Sequence, residues 1–304
     1  MSLAKKLSTA LNETRLLILG AQVLFGFEFH GIFQDGFADL PRTRRSLVCV
    51  SLLCMATAIG LLIAPSAQHR IVERGEETRR IHRVTTLFAG LALLPFGTSL
   101  AIDVSIGLER IAGSNTALLV GSAFCVLAGV LWYAFGFVVK LRRGDPIMQD
   151  EEKPAPLSTK IDQMLTEARV ILPGAQALLG FQLTVTLSHA FQQLPSDTKS
   201  VHAVALGCVA LAVVLLMTPA ALHRIGFGGE ESQSFLSMGS AFVMLAPLPL
   251  AAGIAADMFV AVERAAESSA LGIAAGVAAI CVLLFLWYLQ PLIIRGKVQR
   301  VKAA

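Results

Sequence analysis

Apolar runs close to the thickness of a bilayer recur along this chain, and they restrict its fold more than any other feature. About 20 apolar residues carry a helix across the hydrocarbon core. In that medium every backbone N–H and C=O has to be satisfied within the protein, which leaves helices or closed barrels. Eight runs qualify, at 16–33, 46–64, 84–104, 116–139, 170–187, 201–218, 235–258 and 270–293. Charged residues make up only 15% of the chain and hydrophobic ones 55%, whereas roughly a quarter of a soluble domain is charged. The expected fold class is an all-α membrane protein, with eight transmembrane helices arranged as two parallel-repeat four-helix bundles.

The second half of that expectation comes from a repeat. Gly20-Ala21-Gln22-Val23-Leu24-Phe25-Gly26-Phe27 returns as Gly174-Ala175-Gln176-Ala177-Leu178-Leu179-Gly180-Phe181, an offset of 154. The same offset joins Glu13 to Glu167, Pro65 to Pro219, His69-Arg70 to His223-Arg224, Pro95 to Pro249, and Asp103 to Asp257. After one inserted residue, Trp132-Tyr133 is answered by Trp287-Tyr288. A register held this long indicates internal duplication. The chain divides into a first four-helix unit over 1–144, a cytoplasmic linker over 145–157 that is charged and holds Pro146, Pro154 and Pro156, and a second unit over 158–304. An even number of spans per unit makes both enter from one side, so the repeat is parallel about the membrane normal. The two glutamine-bearing entry helices are expected to meet at a pseudo-twofold axis.

Lysine and arginine crowd the loop after the second span, the linker and the last residues, which places both termini in the cytoplasm. Arg42, Arg44 and Arg45 count against that orientation. No small-residue cleavage site follows the first run, so it is expected to remain in the mature protein. Pro65 is expected to close the second span and Pro95 to kink the third.

Leu11-Asn12-Glu13-Thr14-Arg15, the Gly-Ala-Gln stretch, and Ala64-Pro65-Ser66-Ala67-Gln68-His69-Arg70 together resemble a family of uncharacterised bacterial four-helix integral membrane proteins, a domain of unknown function. Looser copies of these motifs stand in the second half. The resemblance implies a multi-pass protein of the bacterial inner membrane built on a four-helix unit, and it brings no activity with it. The chain differs from that pattern in carrying two units, and in placing Glu28 and His30 where similar proteins are mostly apolar.

Few side chains can carry chemistry. Arg15, Gln22 and Gly26 share one helix face by their spacing, as do Arg169, Gln176 and Gly180. They suit a packing seam with an interhelical hydrogen bond, or a pair of amides flanking a pathway. Glu13 and Arg15 begin the first span where His69 and Arg70 end the second, so Glu13 is expected to pair with His69 or Arg70. Glu167, beside Arg169, is expected to pair in the same way with His223 or Arg224. Such a clamp fixes helix order, or senses protons through its histidines. Glu28, His30, Gln182 and His189 make the outer halves of the two entry helices polar, and an ionisable group there usually faces protein or water. Asp103 and Asp257 are expected at the outer surface as loop charges. Ala117, Gly121, Cys125 and Gly129 form a small-residue ridge.

The five cysteines lie in apolar runs without metal-ligand spacing. The histidines lack the matched depth that haem requires, and no phosphate loop or nucleophile elbow is present. No cofactor, metal or nucleic-acid partner is expected, and nothing points to an enzyme. The expected partners are the lipid bilayer and a homo-oligomer or protein partner. Two functions compete: permeation of an ion or small solute through the interface of the two repeats, touched by Gln22, Glu28 and Gln176; or a non-transporting scaffold or accessory subunit that docks a partner through its cytoplasmic loops.

Overall fold

The computed structural model describes residues 3–76, 78–134, 137–138, 141 and 156–303, which leaves most of the 145–157 linker outside the described residues. Among those residues 89% are helical and none is in a strand. Helix α1 is Leu3–Gly31, α2 is Arg42–Ile71, α3 is Arg79–Ala112 and α4 is Ser114–Gly129. The second half has α5 (Leu157–Thr186), α6 (Ser196–Ala221), α7 (Gln233–Leu245), α8 (Pro247–Ala266), α9 (Ser269–Leu284) and α10 (Gln290–Ala303). Seven helical stretches are long and apolar enough to cross a membrane. The first of the eight expected spans is present as a shorter apolar helix, Leu17–Gly31. The chain is a multi-pass membrane protein.

Pro65 behaves differently from its sequence expectation. Pro65 lies inside α2, which runs on to Ile71, and Pro95 lies inside an unbroken α3. A single proline removes one backbone hydrogen bond, and packed neighbours make that tolerable in a membrane helix. The counterpart of α3 does break, between Leu245 and Pro247. There Pro247 joins Pro249, so the carbonyls of Val243 and Leu245 both lose their helical donors.

Two five-residue π-turns, Val130–Ala134 and Phe285–Leu289, hold the Trp-Tyr pairs at matching places. Tyr133 Oη donates to Gly90 O and Tyr288 Oη donates to Met244 O, each at 2.6 Å. A third π-turn, Leu222–Gly226, carries His223 and Arg224, whereas their counterparts His69 and Arg70 sit in regular α-helix.

Within each half, neighbouring helices pack in sequence order. Gly121 has no room for a Cβ, which would lie 2.6 Å from Ala101 O, so α3 and α4 are in close contact there. Gly272 and Gly276 do the same against α8. The ridge stops short of its expected length, because Cys125 and Gly129 face outward. Between the halves, α1 lies along α5, and α2 lies against α8, α9 and the Phe285–Leu289 turn. Lipid tails are as apolar as leucine, so burial alone does not hold such helices together; close packing and buried polar contacts do. Trp287 supplies both, being fully buried while its Nε1 donates to Gly60 O at 2.9 Å.

Candidate functional site

The contact between α1 and α5 is closed. Gln22 is 1% exposed and packs flat on Gly174, where a Cβ would overlap the glutamine side chain. A Cβ at Gly26 would overlap the Phe181 ring in the same way. The equivalent contacts are not formed: Gln176 and Gly180 face outward, and a Cβ added at Gly20 would find nothing within 4 Å, although Phe27 does touch its own counterpart Phe181 at a ring-centroid distance of 4.5 Å. The expected pair of facing glutamines is therefore replaced by a glutamine against a glycine. A pathway between Gln22 and Gln176 has no opening here, and the contact is not twofold.

The charged clamp is formed across the halves. His69 Nδ1 lies 2.8 Å from Glu167 Oε1, and Arg70 Nε bonds Glu167 Oε2. Arg70 Nη1 also donates to Ser240 Oγ at 2.9 Å, and Lys160 Nζ lies 2.5 Å from Glu76 Oε1. Glu167 thus pairs with His69 and Arg70, not with His223 and Arg224 of its own half. Continuation of α2 past Pro65 is what carries His69 and Arg70 to that position. The side chains of Glu13 and Arg15 lie outside the described residues. Arg169 and Arg224 are exposed.

The outer polar residues separate into different environments. His30 Nε2 is 2.8 Å from Gln34 Nε2, and the His30 ring packs toward Phe181. His189 is exposed and sits in a separate one-turn helix, because α5 ends at Thr186 and Ser188 caps the next turn. It therefore lies outside the entry helix whose outer half it was expected to make polar.

Glu28 is different. It reaches α3, where Ser99 Oγ lies 2.6 Å from Glu28 Oε1. Ser99 Oγ is 2.7 Å from Ser51 Oγ, and Ser51 Oγ is 2.9 Å from Asp103 Oδ1. Asp103 lies nine residues before the end of α3, about 14 Å along the axis at 1.5 Å per residue. It is a half-buried acid inside helix α3, not a charge in the loop that follows. Three oxygen-to-oxygen contacts in this chain need three protons, and the two serine hydroxyls supply only two. One proton on either acid completes the row in one direction or the other. The side chains of Glu28 and Asp103 open onto a cleft of about 510 Å³ bounded by Leu24, Phe27, Gly31 and Phe37.

At the equivalent place in the second half, Gln182 stands for Glu28 and Asp257 for Asp103. Gln182 Nε2 donates to Asp257 Oδ2 at 2.8 Å, and His202 Nδ1 is 3.8 Å from Asp257 Oδ1. Ala205 and Gly253 replace the two serines, and a Cβ at Gly253 would meet Val209 Cγ2 at 2.5 Å. The hydroxyl row is absent there, and Asp257 is fully buried.

Asp103, Asp257, Ser51, Ser99 and His202 are missing from the candidates read from sequence. The available signal was that each aspartate is flanked on both sides by apolar residues, two turns before the charged Glu-Arg pair that ends the run.

These features define a multi-pass membrane protein, helical throughout the described residues, with a half-buried acidic pair beside a cleft. The chain belongs to the family of unknown function DUF6328, whose model matches residues 2–136 and again 150–291. No curated protein and no solved structure matches it.

Proposed function

We propose that this protein admits a proton, or a small cation in its place, to the Glu28–Asp103 pair through the cleft beside α1, α2 and α3. The permeation role is thus assigned to the interior of the first four-helix unit and not to the seam between the units. The observation that carries the reading is the row Glu28, Ser99, Ser51, Asp103, in which one proton serves two acids. Reversing the donors along the row moves the proton between the acids without moving a heavy atom. An ionisable pair at such depth that faces a cleft fits a relay better than an anchor.

The test is proton flux into vesicles holding the purified protein and a pH dye, driven by a potassium diffusion potential. Wild type is expected to acidify its vesicles faster than empty ones. Glu28→Gln and Asp103→Asn are expected to abolish the difference, and Ser99→Ala to slow it by ~10-fold or more, the scale of a positioned proton-transfer group. The tight α1–α5 seam favours a second reading, a scaffold whose cytoplasmic loops dock a partner. Folded wild-type protein that conducts neither protons nor small cations would overturn the first reading in favour of the second.

A further inference from the structure

We infer that the contact joining the two halves is repeated between chains, so that the second half of one molecule docks on the first half of another. This inference is independent of the proton-relay reading. It rests on the way the contact uses the duplicated sequence. The first half contributes Gln22 and Gly26 from α1 together with α2; the second contributes Gly174 and Phe181 from α5 together with α8 and α9. Different patches meet, so the interface is heterologous. A heterologous contact leaves an unused copy of each patch, and repetition closes a ring or extends an array.

Both unused patches keep part of the matching set; the Arg45–Glu267 and Gln68–Gln290 contacts between the halves have no equivalent, because Lys199 and Gly113, and Leu222 and Phe135, stand in their places. Gln176 and Gly180, the counterparts of Gln22 and Gly26, face outward on the second half. Gly20, the counterpart of Gly174, is open on the first; Phe27, the counterpart of Phe181, already touches the Phe181 ring at a centroid distance of 4.5 Å but is still 56% exposed. Exposed apolar groups are ordinary against lipid, so the polar ones are more telling. His69 and Arg70 hold the Glu167 carboxylate and the Ser240 hydroxyl. Their counterparts His223 and Arg224 show no carboxylate partner among the described residues: the His223 ring packs on Phe235, and Arg224 is exposed. The counterpart of Glu167 is Glu13, and that of Ser240 is Thr86, which is exposed.

The groove beside His223 and Arg224 is the strongest part of the match. It measures about 710 Å³ and is walled by Leu172, Val214, Met217 and Ala221. In the first half the same place, beside Gly60 and Ile63, is filled by Trp287. The counterpart of Trp287 is Trp132, which is only half-buried. The volumes also trade correctly. Gly60 faces Leu283, whose Cδ2 would be 3.0 Å from an added Cβ. At the repeated contact the glycine has become Val214, and the leucine has become Ala128. Enlargement on one side is met by reduction on the other.

The test uses a background with the five native cysteines replaced. One chain carrying Phe27→Cys is co-expressed with a differently tagged chain carrying Gly180→Cys, and the native membranes are oxidised. A disulfide-linked heterodimer is expected, in several-fold excess over products linking Phe27→Cys to itself. The control is a single chain with Gly26→Cys and Phe181→Cys, which closes internally and reports that the contact and the fold are intact. Closure of the control without any heterodimer would overturn the inference. So would a dominant Phe27→Cys homodimer, because that would mean a twofold contact.

Discussion

Glu167→Ala is expected to lower the stability of the purified protein by about 3–5 kcal/mol, the cost of removing one partner from a buried ion pair. Glu167 is 2% exposed and His69 is fully buried, so no solvent replaces the lost carboxylate. Among the described residues, Arg70 would keep only the Ser240 hydroxyl. Because these three residues join α2 to α5, the loss falls on the contact between the halves and not on either half alone. Thermal unfolding followed by tryptophan fluorescence is an apt readout, since Trp287 lies in the same contact. Removing the charges together, as Glu167→Leu with Arg70→Leu, is expected to recover most of the loss, since apolar groups of similar size often replace a buried pair at little cost. A single Glu167→Ala protein as stable as wild type would show that the clamp carries no weight.

The second large effect is steric. Gly174→Leu is expected to destabilise the chain by at least ~1–3 kcal/mol, the usual range for overpacking. An added Cβ would lie 2.6 Å from Gln22 Cβ, and that atom is fixed to the α1 backbone. A flexible side-chain tip could swing away; this atom moves only if α1 and α5 separate. Gly20→Leu is the matched comparison, because nothing lies within 4 Å of its Cβ position. It is expected to leave the unfolding midpoint of the isolated chain unchanged. Equal sensitivity at both glycines would contradict the head-to-tail seam.

The apolar runs and the 154-residue register were legible because both are properties of the chain taken in order. The all-helical class and the matching places of the Trp-Tyr pairs follow from them. Partner choice does not. Duplication writes each face twice, and sequence alone assigns equal standing to Gln22 against Gln176 and to Gln22 against Gly174. Pro65 illustrates a second limit. Read locally it ends a helix, yet α2 continues for six residues beyond it and delivers His69 and Arg70 to the other half. The acidic pair was half legible. Glu28 stands out within an apolar run, but Asp103 lies close to Glu109 in sequence and so resembles part of the loop that follows. Only the meeting of α1, α2 and α3 shows that Asp103, Ser51 and Ser99 share one place with Glu28.

The exchange of Glu28 for Gln182 follows from having both copies on one polypeptide. In an assembly of identical subunits every substitution is inherited by all of them, so an acid tolerated at one position must be tolerated at each equivalent. Joining two copies end to end lifts that constraint, and the halves become separate targets for mutation. One holds two acids and two serine hydroxyls, while the other has an amide, an imidazole and tighter backbone contact in their place.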